Sequence, residues 1–258
     1  MYSQLQLREI FHLEFLRYLA ADMPLKLWAL KGGVNLRLFF KSVRYSEDMD
    51  LVVDVLPVDS VKKRVLRILT SPSFLANLKT YGIEKIVLPD MGKAKQTGTT
   101  QRFKVHLITA SGDDHFTKVE FSRRGLRGEP VVQSAPASVL RPYGMAPLMV
   151  PHYSAAYAAA QKISAVLSRS TLQARDIFDL YLLSTQVRPE TAAVALPDKA
   201  ALAKARERIL EPDFKMFRDT VAAYLAAEDQ GTYAEPAAWD EVKLKAAEFV
   251  GELEKNNG

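Results

Sequence analysis

The chain has 258 residues, 48% of them hydrophobic and 25% charged, which suits one large domain or two small ones and excludes wholesale disorder or a collagen-like architecture. It has no cysteine, so disulfide scaffolds, thiol catalysis and cysteine-bound zinc are excluded, and a cytoplasmic setting is expected. A net charge of +5 tolerates a polyanionic partner such as RNA or a nucleoside triphosphate without identifying one.

Apolar residues Leu5, Ile10, Phe11, Leu13, Phe15, Leu16 and Leu19 recur at helical spacing, broadly enough to predict a deeply buried helix from Ser3 to about Ala20. From Leu25 to about Val132 short β-branched runs alternate with turn residues. Strands are expected at Leu25–Leu30, Asp50–Val55, Glu84–Leu88, Phe103–Thr109 and Phe116–Phe121. A helix over Val58–Leu69 falls between the second and third, with Ser71-Pro72 beyond its end. Pro89–Gln101 is small, polar and glycine-bearing, as a mobile loop between two strands would be. After Pro151 the pattern turns alanine-rich and helical, over Ser154–Ser168, Thr171–Ser184, Lys199–Leu210, Phe214–Ala227 and Trp239–Glu254. Pro136–Pro151 holds four of the thirteen prolines and marks a boundary. The expectation is an α+β core over residues 1–145 and a helical module over 146–258. No stretch reads as a membrane span, because the longest uncharged run, Pro142 to Gln161, is broken by Pro147 and Pro151.

Three clusters carry chemistry. Gly32-Gly33 sits where a strand gives way to a helix, and paired glycines there let backbone N–H groups approach a phosphate. Asp48 and Asp50 open an apolar strand, and the two-residue period puts both carboxylates on one face. Like charges so placed call for a cation, and all-oxygen ligation suits Mg²⁺ or Mn²⁺. The alternative is a solvent-facing strand edge bearing acids for solubility. Lys118, Glu120 and Ser122 alternate with Val119 and Phe121, which reads either as a third carboxylate near a metal or as polar-out alternation. In the helical half, Lys162 and Arg169 lie seven residues apart, and Arg175-Asp176-Ile177-Phe178-Asp179-Leu180 follows. Arg175 and Asp179 form an i,i+4 pair, open to reading as a surface ion pair, and Asp176 has no such local partner. The basic run from Lys93 to Arg127 reads as a solvated face or as a track for a phosphate backbone. The four histidines show no ligand spacing and read as surface or core residues. Trp28 and Trp239 read as core.

Taken in order, these clusters resemble the AbiEii-type nucleotidyltransferases, toxins of type IV toxin–antitoxin and abortive-infection systems within the polymerase-β-like superfamily. The Gly-Gly turn with Ser/Thr-x-Asp-x-Asp appears as Gly32-Gly33 and Ser46-Glu47-Asp48-Met49-Asp50, and the Lys-x-acid strand as Lys118-Val119-Glu120. The Lys with Arg seven residues on is Lys162 and Arg169, and Arg-Asp-x-x-Asp-Leu is Arg175 to Leu180. Position 33 is Gly rather than the superfamily's Ser, which removes one hydroxyl but leaves backbone donors. The resemblance implies a short mixed sheet flanked by helices and a helical C-terminal module. It implies that Asp48 and Asp50 bind the metals, with Glu120 as third carboxylate and Ser46 in support, while Gly32 and Gly33 hold phosphates. Lys118, Lys162 and Arg169 are implied for nucleotide binding, with Lys162 on the triphosphate, and Asp176 as an essential acid. The implied reaction moves an NMP from an NTP to an RNA 3′ end such as the tRNA acceptor stem, with a neighbouring antitoxin and no membrane. Transfer to a protein or small-molecule hydroxyl, or a non-catalytic binding module, are the alternatives.

Overall fold

The computed structural model describes residues 2–189 and 196–256. The chain forms two compact units, Met1–Phe39 with Tyr45–Tyr153, and Phe40–Arg44 with Ser154–Gly258. The first contains α1 (Gln4–Asp22), β1 (Trp28–Lys31), α2 (Gly32–Phe39), β2 (Asp48–Val53), α3 (Val58–Leu69), α4 (Pro72–Thr80), β3 (Ile83–Val87), β4 (Thr100–Thr109), β5 (Asp114–Ser122), β6 (Val131–Ser134), α5 (Ala137–Leu140) and β7 (Met149–His152). Among the described residues the strands make one seven-stranded sheet in the order β3-β4-β5-β2-β1-β7-β6. β2 runs parallel to β5 and β1 to β7, and the other neighbours are antiparallel. A short mixed sheet was expected, and this is a mixed α+β fold.

α1 starts with a capping box, Ser3 and Gln6 each bonding the other's backbone. It is buried on every side from Leu7 to Leu16, as the breadth of its apolar pattern implied. The polar groups carried inside find partners. Glu9 takes Arg37 Nε at 2.8 Å and the Tyr143 hydroxyl at 2.5 Å, and Arg8 Nε donates to Phe116 O at 2.7 Å. Paired in this way, they avoid the penalty of a buried unsatisfied group, of order 1–3 kcal/mol each. The apolar residues of α1, α3 and α4 share one core with Met49, Leu51, Val53, Phe103, Val119 and Phe121, which line one face of the sheet.

Three features of this unit departed from expectation. α4 begins at Pro72, where the sequence suggested a stop. Ser71-Pro72 serves instead as N-cap and first-turn proline, with the Ser71 hydroxyl accepting from Phe74 N–H. β6 ends just before the proline-bearing boundary and β7 lies at its far end, and both are too short, at four residues each, to show alternation. Leu25–Leu27 is a 3₁₀ turn, so β1 starts only at Trp28.

The second unit contains α6 (Ala155–Ser168), α7 (Ala174–Ser184), α8 (Lys199–Ile209), α9 (Phe214–Thr220), α10 (Ala227–Gln230) and α11 (Pro236–Asn256). Ser154, Asp198 and Asp213 cap α6, α8 and α9 through side-chain oxygens. Trp239 stacks on Phe217 at 4.7 Å between centroids and donates to Pro212 O at 2.9 Å. The helix expected over Phe214–Ala227 breaks after Thr220. Leu225 is extended there (φ −80°, ψ 149°) and forms a bridge with Arg44, which a continuous helix would forbid.

Candidate functional site

Register assembles the first cluster. Across β1–β2 Lys31 faces Asp50, across β2–β5 Asp48 faces Lys118 and Asp50 faces Glu120, and across β5–β4 Glu120 faces Arg102. The even period then sets all of these on the sheet face opposite the core. Asp48, Asp50 and Glu120 are thus brought together on two neighbouring strands, as their spacing suggested. Gly32 touches this cluster at close range. Its φ of +68° lies in the left-handed region, and a Cβ built on it would come within 2.6 Å of Asp50 Oδ2. Only glycine meets both demands. Gly32 and Gly33 open α2, so their N–H groups belong to the turn that has no acceptor within the helix. Ser46 donates to Asp48 O at 2.7 Å, which fixes the entry into β2.

The acids are unequally neutralised. Lys118 Nζ lies 2.8 Å from Asp48 Oδ2, while Asp48 Oδ1 is buried without a hydrogen-bond partner. Arg102 Nε lies 2.5 Å from Glu120 Oε2. Burial raises the Asp50 carboxyl above the usual aspartate range, with Glu120 and Asp48 adding to it and Lys31 and Lys118 pulling against it. An orphaned carboxylate oxygen beside a carboxylate whose charge is costly fits a hard divalent cation. Among the described residues no group of three or more acid or imidazole side chains is placed to hold a metal ion, so Glu120, paired with Arg102, does not close on Asp48 and Asp50 as a set. Mg²⁺ does not need a third, since it takes one or two carboxylates and completes its shell with phosphates and water.

A buried relay positions this cluster and was missed from sequence. Thr117 donates to Glu47 O at 2.7 Å, so its hydroxyl oxygen accepts the proton of His12 Nε2, 2.9 Å away. Burial and the neighbouring Arg8 charge push the imidazole down to about 3, so His12 is neutral and its Nε2 carries the proton. His12 is a core residue, as expected of the histidines. The residue it steadies immediately precedes Asp48. Arg102 was missed as well, because the register that sets it beside Glu120 is not written in either strand alone.

The second cluster lies within the helical unit. Lys162 Nζ is 2.9 Å from Asp176 Oδ1 and 2.6 Å from Asp179 Oδ2. Arg44 Nη2 bonds both Asp179 oxygens at 3.0 Å. Arg169 Nε approaches Asp176 Oδ2 at 2.8 Å as an ion pair, without the alignment of a hydrogen bond. Arg208 holds the Leu167 and Arg169 carbonyls at 2.7 and 2.8 Å, which fixes the end of α6. Burial disfavours the charges of both Lys162 and Asp179. For Lys162 the carboxylates of Asp179 and Asp176 outweigh it and hold the ammonium above its ordinary value. For Asp179 the cations of Arg44 and Lys162 outweigh it and hold the carboxyl below. The pairing Arg175–Asp179 is therefore corrected. Arg175 is exposed while Asp179 is fully buried, because a surface pair worth a few tenths of a kcal/mol cannot compete with two desolvated cations. Asp176, without a local partner in sequence, has two in space.

Two solved structures share the fold. JHP933 from Helicobacter pylori is 18% identical, with 100% of this chain and 95% of that chain covered and a TM-score of 0.60. MenT4, a nucleotidyltransferase toxin from Mycobacterium tuberculosis H37Rv, is 17% identical, with 97% and 90% covered and a TM-score of 0.54. No curated protein shows significant similarity to the chain. Residues 14–245 match the family described as nucleotidyl transferase AbiEii toxin, type IV TA system. With the match spanning both sheet carboxylates and the helical ion cluster, the chain belongs to the AbiEii nucleotidyltransferase toxin family.

Proposed function

We propose that the chain moves an NMP unit from an NTP onto an RNA 3′ end, with the tRNA acceptor stem as acceptor, and thereby acts in the cytoplasm as the toxin opposed by a cognate antitoxin. The observation that carries this is the incompletely neutralised pair Asp48 and Asp50 packed against Gly32. We assign the nucleotidyltransferase core, expected over residues 1–145, to the sheet-bearing first unit, which runs on through β7 to Tyr153, and the helical module, expected over 146–258, to the second unit.

Asp48 and Asp50 would hold Mg²⁺ or Mn²⁺, with Glu120 as third carboxylate. When bound, the divalent cation neutralises phosphate charge and the charge that develops on the attacking and leaving oxygens. Gly32 and Gly33 offer backbone N–H groups to the β- and γ-phosphates, and Ser46 keeps the Asp48 backbone in place. Lys118, Lys162 and Arg169 are assigned to nucleotide binding. Three cations against two carboxylates in the Arg44–Lys162–Arg169 cluster leave a positive surplus suited to a triphosphate. Asp176 is assigned as an essential acid near the nucleotide or the attacking hydroxyl. The acceptor hydroxyl gives up its proton to solvent, its oxygen bonds to the α-phosphorus, the bond to the bridging oxygen breaks, and pyrophosphate leaves. Positioning supplies much of the acceleration.

The test uses purified protein, Mg²⁺, each α-³²P-labelled NTP in turn and total cellular RNA, beside an Asp48→Ala control. Label in a tRNA-sized band that disappears in the variant is expected. Label only on protein, or none on any acceptor, would overturn the RNA reading. No helix among the described residues is long and apolar enough to cross a membrane, so the assay needs no lipid.

A further inference from the structure

The sheet face bearing Asp48, Asp50 and Glu120 does not stop at β5. β4 extends it with Lys104 and His106, which face Lys118 and Phe116, and β3 adds Lys85 at its outer edge, facing Ile108. On this face Arg102 and Lys118 are held by Glu120 and Asp48. Lys85 and Lys104 are exposed, and neither has an acid partner among the described residues.

Phe116 is the unexpected member. Strand alternation sets its ring among charged side chains on the wetted face, where it stays only partly buried. Lys104 Nζ lies 5.7 Å from the ring centroid, and the His106 ring meets it edge-on at 5.7 Å. The strand beneath is fixed from the core side by Arg8 on Phe116 O and by Thr117 on Glu47 O. On the same face His106 Nδ1 is tied to Asp114 at 2.9 Å, which leaves Lys104 of β4 and Lys85 of β3 as the cations without an acid partner. A rigidly mounted aromatic ring beside such cations is the combination that binds single-stranded nucleic acid. The ring accepts any base by its π face, and the cations follow the phosphates.

We infer that the β5–β4–β3 part of this face seats the single-stranded end of the acceptor, with one base on Phe116 and the backbone along Lys104 and Lys85. The inference rests on the RNA reading above and adds where the acceptor lies. Phe116 and Glu120 are four residues apart, about 13 Å along the strand, so the stacked base belongs to a nucleotide behind the reacting end. Binding through a π face and phosphates carries no base code, and a paired end, whose bases are already stacked, should bind more weakly.

The experiment measures fluorescence anisotropy of a short labelled RNA, single-stranded or annealed to its complement, beside Mg²⁺–NTP binding and transfer to RNA. Phe116→Ala should weaken single-strand binding by about 5- to 150-fold, and Phe116→Trp should restore it. Lys104→Ala should lower the salt-dependence slope by about 0.7, and both variants should keep wild-type NTP binding. Unchanged affinity and slope in these variants, no binding by wild type, or tighter binding to the duplex would each overturn the inference. Wild-type transfer to RNA with indifferent variants removes this seat alone. Phe116-dependent binding without transfer to RNA keeps the seat and removes the acceptor assigned under Proposed function.

Discussion

The sheet face and the helical ion cluster both concentrate charge, yet they balance it in opposite ways. In the helical unit each buried carboxylate meets two cations, and Asp179 ends below its ordinary range while Lys162 ends above. On the sheet Asp48 keeps an oxygen without a partner, and Asp50 sits above its ordinary range. A protein optimised only for stability would have finished the sheet cluster as it finished the helical one. The unfinished cluster is the one that the cation proposed above would complete, whereas in the helical cluster both carboxylates are already ion-paired within the chain.

The largest expected effect separates activity from stability. Asp50→Asn should lower transfer by about a thousandfold or more, given the several kcal/mol at stake in metal-assisted charge stabilisation. Its Tm without metal should stay level or rise, because the ionised side chain is a cost in the folded state. A labelled-NTP assay and a melt on the same sample check both. A fall in Tm comparable to that of a core cavity would show Asp50 to be structural.

Breaking the balanced cluster should do the reverse. Asp179→Asn leaves Arg44 and Lys162 buried without their shared carboxylate and should cost about 3–5 kcal/mol of stability at neutral pH. Because the folded-state pKa of Asp179 is depressed, its contribution is present above the ordinary value of 3.8 and is lost as pH falls through the lower folded value. Denaturant melts should therefore show the gap between wild type and variant closing only in acid. A gap independent of pH would detach the loss from ionisation.

Gly32→Ala should have the smallest effect of the three, about 10- to 100-fold on transfer. An added Cβ must displace the Asp50 carboxylate and also strain a backbone in the left-handed region, by roughly 1–2 kcal/mol. If activity is retained and the fold intact, close packing of Gly32 on Asp50 is not what aims that carboxylate.

Much of the sheet cluster was legible because strands obey a period of two. Asp48, Asp50, Lys118 and Glu120 could be put on common faces from spacing, and Trp28 and Trp239 could be read as core. What spacing could not supply was partnership across distance. Arg44 and Asp179 are 135 residues apart in sequence, and nothing local to α7 distinguishes the buried Asp179 from a surface acid. His12 failed to draw notice for the same reason, since its role depends on a threonine 105 residues away. β6 and β7 were hidden by brevity and prolines, and α4 by a Ser-Pro that serves equally as a stop or a start.

The strand order also governs how the protein can come into being. β1 emerges early in synthesis but ends between β2 and β7, so its second edge stays open until residues 149–152 have been made. The polar groups of α1 wait too, because Arg8 and His12 find Phe116 and Thr117, and Glu9 its second partner Tyr143, far downstream. Such non-local closure folds late and cooperatively. A nascent chain therefore carries the aspartates of β2 well before it carries the strands and polar partners that set them in register.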